Sequence, residues 1–254
     1  RLARLIMEEV IARCDFIIDL HTAAVRRTNF PNVRADMENP DCERLARAFG
    51  AEIIVDGKGP EGSLRFEACE AGCPTIILEA GEVWKVEPSV QDMTLRGITH
   101  VMSELEMIEI PEDMRPETAP HQVVVHASSW VRAESGGFLK FHVAPGDTVE
   151  RDQPLATGSS LLGKDHETIF SPKNGIVLGM TTMPAVSPGD PVIHIALPET
   201  HKQFRCLEKS VDQTEDDALE SQVRDHLATN ITVEDPGPAI EADEELEFEE
   251  EGDL

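Results

Sequence analysis

The stretch Phe16-Ile17-Ile18-Asp19-Leu20-His21-Thr22 decides how the rest of this chain is read. Its apolar, β-branched run predicts a buried strand that stops abruptly on Asp-x-His. Positions i and i+2 of a strand face the same side, so Asp19 and His21 are expected to sit together. A carboxylate beside a metal-bound imidazole fixes its tautomer and raises its basicity. Asp19 is equally readable as a buried acid serving a neighbouring loop, and His21 as a structural strand-end histidine. A second run, Thr75-Ile76-Ile77-Leu78-Glu79-Ala80-Gly81, stops in the same way on a glutamate. A carboxylate at the end of Ile-Ile-Leu suits a general base working near neutral pH. The plainer reading is a strand-end acid capping the next element. Glu82 competes for the role, and Glu79 is preferred because it terminates the strand directly.

Outward from these two runs, residues 1–13 place Leu2, Leu5, Ile6, Val10 and Ile11 at helical spacing. The first strand is expected over 15–20, and a polar loop rich in Arg and Asn over 22–39. Pro40 and Gly50 bracket a helix over 40–49. A strand over 51–56, a helix over 62–71, the strand 75–80 and a long helix over 88–107 follow. This alternation predicts an α/β fold with a mostly parallel sheet covered on both faces. Ligands of such sheets bind beyond the carboxyl ends of the strands, where His21 and Glu79 lie. Residues 1–110 are thus read as one domain and the Pro/Glu-rich residues 111–121 as a linker.

Residues 122–200 read as a small all-β unit. It contains an internal echo: Gly137-Phe138-Leu139 followed by Val143-Ala144-Pro145-Gly146-Asp147-Thr148-Val149, then Gly175-Ile176-Val177 followed by Val186-Ser187-Pro188-Gly189-Asp190-Pro191-Val192. Two related halves closing on Pro-Gly-Asp turns resemble lipoyl/biotinyl-like barrel-sandwich domains. Neither Lys164 nor Lys173 has the flanking residues of a cofactor-carrying lysine, so the unit is read as structural or substrate-gating. Residues 201–254 are read as an acidic tail, with a short helix over 208–228 and disorder elsewhere.

The net charge is −27. Eighteen Asp/Glu against Lys209 and Arg224 in residues 208–254 account for −16, which leaves −11 for the remainder. Such a surface repels nucleic acid and anionic membrane, so neither is an expected partner. Arginine outnumbers lysine 15 to 7, a balance that suits a saline cytoplasm. No apolar run approaches the ~20 residues that span a bilayer. The chain enters a helical pattern without a leader sequence, and a cytoplasmic location is expected. Five cysteines without framework spacing are read as reduced packing residues.

Against this acidity, Arg26, Arg27, Arg34 and Arg65 form a local basic set, and guanidinium groups beside a hydrolytic cleft clamp carboxylates in bidentate fashion. The other histidines (among them His100, His126, His142 and His194) do not pair at H-x-H or H-x-x-x-H spacing, so no complete metal triad is legible.

Taken in order, Asp19-Leu20-His21-Thr22-Ala23, Val33-Arg34-Ala35-Asp36, Gly62-Ser63-Leu64-Arg65 and Leu78-Glu79-Ala80-Gly81, then a long helix and a β-rich region, resemble the succinylglutamate desuccinylase/aspartoacylase family over about residues 1–200. The resemblance implies a zinc-carboxypeptidase-like fold and a zinc-dependent hydrolase that removes an N-acyl group from an amino acid or related amine. It implies one Zn2+ per complete site, His21 as a ligand, Asp19 behind it and Glu79 as general base and proton shuttle. Arg65 or Arg34 is then expected to hold a substrate carboxylate, and the β-rich unit to rim the cleft or form a homo-oligomer contact. The family's other two ligands come from a His-Gly-x-Glu segment, which this sequence lacks, as it lacks an Asn-Arg substrate motif. The expectation is an N-terminally truncated chain with incomplete zinc ligation and weak or no activity. The competing expectation is a non-catalytic binding or scaffold remnant of the fold.

Overall fold

A computed structural model describes residues 1–110, 122–213, 218–229, 231 and 233–236. The expected linker 111–121 and the acidic end 237–254 lie outside the described residues. The helices begin and end where local chemistry dictates. In α2 (Pro40–Phe49) the Asn39 side chain accepts from the Asp41 and Cys42 amides, Pro40 opens the first turn, and Gly50 closes it at φ 84°. In α3 (Leu64–Glu70) the Ser63 side chain accepts from the Phe66 amide. Pro88 opens the 17-residue α4 (Pro88–Glu104). The first helix, α1 (Leu2–Glu9), buries none of its residues. Its apolar stripe of Leu2, Leu5 and Ile6, with Val10 beyond it, is exposed, and only Ile11 after it reaches the core.

Two expectations are corrected. The segment expected as a polar loop contains a nine-residue strand, β2 (Arg27–Ala35), at the heart of the sheet. The sheet is also mixed rather than mostly parallel. Strand β1 (Ile17–His21) runs parallel to β4 (Thr75–Glu82). Strand β2 runs antiparallel to β4 and parallel to β3 (Ile53–Asp56), which runs parallel to β5 (Val123–Val125). The polar residues that disguised β2 face away from the core. Val33 and Ala35 are wholly buried under α2 and α4, while Asn32 and Arg34 alternate to the opposite face.

The other edge of β2 is divided. Residues Asn32–Ala35 pair with β3, and Arg27–Asn29 pair with β11 (Gly175–Thr181). The pairing changes over at a register irregularity between Asn29 and Asn32. Pro31 lies there, where its missing N–H costs no ladder bond. Through β11 the sheet continues into β13 (Pro191–Leu197) and β6 (Ala127–Arg132), with β8 (Thr148–Val149) also on β11. A second sheet stacks β10 (Asp165–Phe170), β9 (Pro154–Ser159), β7 (Gly137–Phe141) and β12 (Ala185–Val186). Leu139, Phe141 and Leu155 of the smaller sheet share a second core with Val177, Met180, Ile193 and Ile195 of the larger one. The sequence echo has a structural counterpart. The Asp147 carboxylate accepts from the Ala144 amide and Asp190 from the Ser187 amide, each at 2.8 Å, across glycines at φ 94° and 86°.

The segment expected to be largely disordered beyond residue 200 contains two helices, α5 (His201–Gln213) and α6 (Leu219–Ala228). Val223 and Leu227 of α6 are buried in the first core. All five cysteines are free, and Cys42 Sγ lies 3.7 Å from Cys69 Sγ. Burial, with the Cys69 sulfur next, pushes the Cys42 thiol up to about 12, as for an inert packing thiol. Among the described residues no helix is long and apolar enough to cross a membrane.

Helices α2 and α4 approach closely because Gly97 has no side chain. A Cβ there would lie 2.5 Å from two carbons of the Phe49 ring, which is itself only 2% exposed. Overpacking of this kind costs about 1–3 kcal/mol, against a helix-propensity gain for alanine of about 1 kcal/mol. Gly97→Ala is therefore expected to lower the urea midpoint, and Phe49→Leu to restore part of the loss in the double variant. A rise in midpoint for Gly97→Ala alone would mean that the ring has room to move.

Candidate active site

The polar face of the large sheet gathers the candidate residues. Strand parity and register put them on one side. His21 is the partner of Glu79 across β1 and β4, and Asp19 lies two residues before His21. Asn32 is the partner of Glu79 across β4 and β2, and Arg34 lies two residues after Asn32.

Asp19 Oδ2 is 2.9 Å from His21 Nε2. The contact favours the tautomer with its proton on Nε2, which leaves the Nδ1 lone pair open to a metal or a proton. The His21 side chain is 45% exposed, so this nitrogen is reachable. Glu79 is 16% exposed. Its Oε2 accepts from Asn29 Nδ2 at 3.0 Å. Its Oε1 lies 3.7 Å from Arg34 Nε, within ion-pair reach and beyond a hydrogen bond. The two oxygens are thus differently held. Glu82, the competing acid, falls on the opposite face by parity and is held by Lys85 Nζ at 2.6 Å and Thr182 Oγ1 at 3.3 Å.

Arg65 sits in the first turn of α3 and is 7% exposed. Its Nε and Nη1 are buried without a hydrogen-bond partner, as are Arg34 Nε and Asn32 Oδ1. Burial first, and the nearby Arg34 charge second, lower the affinity of the Arg65 guanidinium for its proton. Among the described residues no group of three His, Cys, Asp or Glu side chains is arranged to hold a metal ion. A catalytic zinc takes three protein ligands, and among the described residues no such set surrounds His21. The described residues therefore do not by themselves fit a zinc ion.

The sheet adds residues that local spacing had not singled out for this site. Asn29 was hidden in the apparent loop. Gly179 of β11 is its partner, and a Cβ at Gly179 would stand 2.4 Å from Asn29 Oδ1. That glycine lets the Asn29 amide lie flat beside Glu79. His194 of β13 is the next partner in the row, and Trp130 of β6 the one after. The Trp130 and His194 rings stack with centroids 4.7 Å apart, and the Arg27 guanidinium lies 4.6 Å from the Trp130 ring centre. The only signal for them in sequence was a polar or aromatic residue within an otherwise apolar strand.

Burial, then the Arg34 and Arg27 charges, push the His194 imidazole down to about 4. Its folded value lies below its ordinary one, so the folded state resists protonation. The contribution to stability is complete above about pH 6.5 and is lost as pH falls towards 4, amounting to about 3 kcal/mol by linkage. His194→Phe is expected to shrink the drop in denaturation free energy between pH 7 and pH 4.5 relative to the parent. Equal drops in both proteins would remove His194 from the acid response.

A family model, the succinylglutamate desuccinylase/aspartoacylase catalytic domain, matches residues 1–105, the part that carries Asp19, His21, Arg34, Arg65 and Glu79. Over these residues the chain is similar to the succinylglutamate desuccinylase/aspartoacylase family. Members of this family are deacylase-type hydrolases. No curated protein sequence matches the chain significantly. Solved structures similar in fold include the ectoine utilization protein EutE (DoeB) of Ruegeria pomeroyi, with TM-score 0.68 and 16% identity over 77% of this chain and 64% of that one. A succinylglutamate desuccinylase/aspartoacylase of Rhodobacter sphaeroides gives TM-score 0.65 and 20% identity over 78% and 63%. An aspartoacylase family protein of Mesorhizobium loti gives TM-score 0.60 and 16% identity over 79% and 68%. This chain thus spans less than two thirds of the length of the Ruegeria and Rhodobacter proteins.

Proposed function

We propose that this chain carries the proton-transfer and substrate-holding part of a hydrolase that removes an N-acyl group from an amino acid or related amine. The observation that supports it best is the Glu79 carboxylate, fixed by Asn29 through one oxygen and paired across the sheet with His21. In this reading Glu79 Oε1 takes a proton from the water that attacks the acyl carbonyl. It returns that proton to the amine nitrogen as the C–N bond breaks. Asn29 holds the carboxylate in plane, and Asp19 holds the His21 ring. Arg65 and Arg34 bind the carboxylate of the amino-acid product. Their buried, unpaired N–H groups support this, since such groups are costly until a ligand accepts from them.

His21 is a zinc-ligand candidate through Nδ1, and a full zinc site needs two further ligands. The expected result for this chain alone is far less than one zinc per chain after dialysis, and turnover at background. Tight stoichiometric zinc would show that residues outside the described set complete the site. The reaction itself is tested by an amine-release screen of N-acetyl and N-succinyl amino acids on a polypeptide with a full ligand set. No hydrolysis of any would sink the reading. The single ligand favours one alternative, a non-catalytic binding or scaffold protein on the same fold. That alternative predicts substrate-analogue binding without turnover even when the ligands are complete.

A further inference from the structure

The row of partners that runs from Glu79 across β2 and β11 does not end at Asn29. It continues through Gly179 to His194 and Trp130, so residues more than 100 positions apart share one polar face. Arg27, two residues before Asn29, lies on the same side and covers the Trp130 ring. The imidazole is held by Ser128 Oγ at 2.9 Å from Nε2 and is parallel to the indole within 6°. The stack is therefore rigid, with one cation against two flat rings.

Its electrostatics are unusual for this protein. In a chain of net charge −27, no ion pair to the Arg27 guanidinium is present among the described residues. A second guanidinium, Arg34, is close enough to His194 to disfavour its protonation. The imidazole is neutral at pH 7, so it adds no charge of its own beside Arg27. Trp130, His194 and Arg27 are each half-buried, which strengthens a charge-assisted hydrogen bond relative to one in open water.

We infer that the Arg27–Trp130–His194 stack, whose His194 lies three strands from Glu79, is a carboxylate-binding subsite that reads an anionic group at the end of the substrate remote from the bond being cleaved. The strands of His194 and Glu79 are separated by roughly 14 Å, three strand spacings of ~4.8 Å. It is distinct from the place of Arg65, in the first turn of α3. The inference rests on the proposed hydrolase reading for the word substrate, and its test does not depend on turnover.

Trp84 is the other tryptophan and is 85% exposed, so Trp84→Phe leaves Trp130 as the sole emitter. Glutarate titrated into this variant is expected to change Trp130 emission saturably. Arg27→Gln should weaken the glutarate response at least 10-fold, and Arg27→Lys, which keeps the charge but not the planar fork, should fall between. Glu79→Gln should leave it within 2-fold, and 1,5-diaminopentane should produce no response. Unchanged circular dichroism and thermal midpoint in Arg27→Gln would exclude misfolding as the cause. A flat glutarate titration, an equal response to the diamine, or indifference to Arg27→Gln in a folded protein would each overturn the subsite. Arg27-dependent glutarate binding in a protein that hydrolyses no N-acyl amino acid would count against the reaction alone.

Discussion

Glu79→Gln is expected to lower kcat for amide hydrolysis by roughly 10²- to 10⁴-fold, the usual worth of a positioned proton-transfer group. The assay belongs in a polypeptide with a complete ligand set. Glutamine has the shape of glutamate and can still accept from Asn29 Nδ2 through its carbonyl oxygen, so the fold and KM should change little. What it cannot do is take the proton. The loss should therefore fall on kcat, the signature of an interaction made only in the transition state. Asn29→Ala provides the companion measurement. It removes the hydrogen bond but not the base, so its kcat should fall less than that of Glu79→Gln. A Glu79→Gln protein within 3-fold of the parent would rule Glu79 out as the base. Glu82 would be a poor replacement, because it faces the other side of the sheet and is held by Lys85 and Thr182.

Arg224→Ala is expected to destabilise the protein by about 3–5 kcal/mol, the cost of removing one partner from a buried ion pair. Arg224 Nη2 lies 2.7 Å from Glu52 Oε2, with side chains only 14% and 5% exposed. Its guanidinium also lies 5.1 Å from the Phe30 ring centre. The Cγ of Arg224 approaches the Gly146 turn, where a Cβ would lie 3.2 Å away. One side chain of α6 thus touches β2, the start of β3 and the turn before β8. Without it, the Glu52 carboxylate stays buried with its main counter-charge gone. Urea denaturation followed by circular dichroism measures the loss. Glu52→Gln/Arg224→Met should recover much of it, since a buried pair exchanged for uncharged side chains of similar size is close to neutral. A single-variant loss under 1 kcal/mol would mean that α6 contributes little to the stability of the fold.

Both predictions concern residues that were unequally legible beforehand. Glu79 was visible because an apolar run that meets a charged residue is a local pattern, although the strand itself continues to Glu82, and Asp19 and His21 were visible in the same way. The caps of α2, with Asn39, Pro40 and Gly50, were visible for the same reason. Strand β2 was not, because Arg27, Asn29, Asn32 and Arg34 read as a solvated loop. They lie on the face of the sheet turned away from the core, and periodicity treats a polar face as an exposed loop. The docking of α6 was masked by its acidic surroundings, since Val223 and Leu227 are few and their partners lie far earlier in the chain, on α4 and β2.

By itself, the sequence determined what depends on neighbours along the chain. That includes where helices start and stop, where the Pro-Gly-Asp turns fall, and that His21 ends a strand, whereas β4 runs past Glu79 to Glu82. Backbone sterics and capping bonds act over a few residues, so their consequences can be read locally. Only the tertiary structure decided that β2 joins β4, β3 and β11 into one mixed sheet, that Asn29 holds Glu79, and that His194 and Trp130 extend its face. Those outcomes come from strand pairing and burial between distant segments, whose choice of partner is set by the whole set of competing contacts.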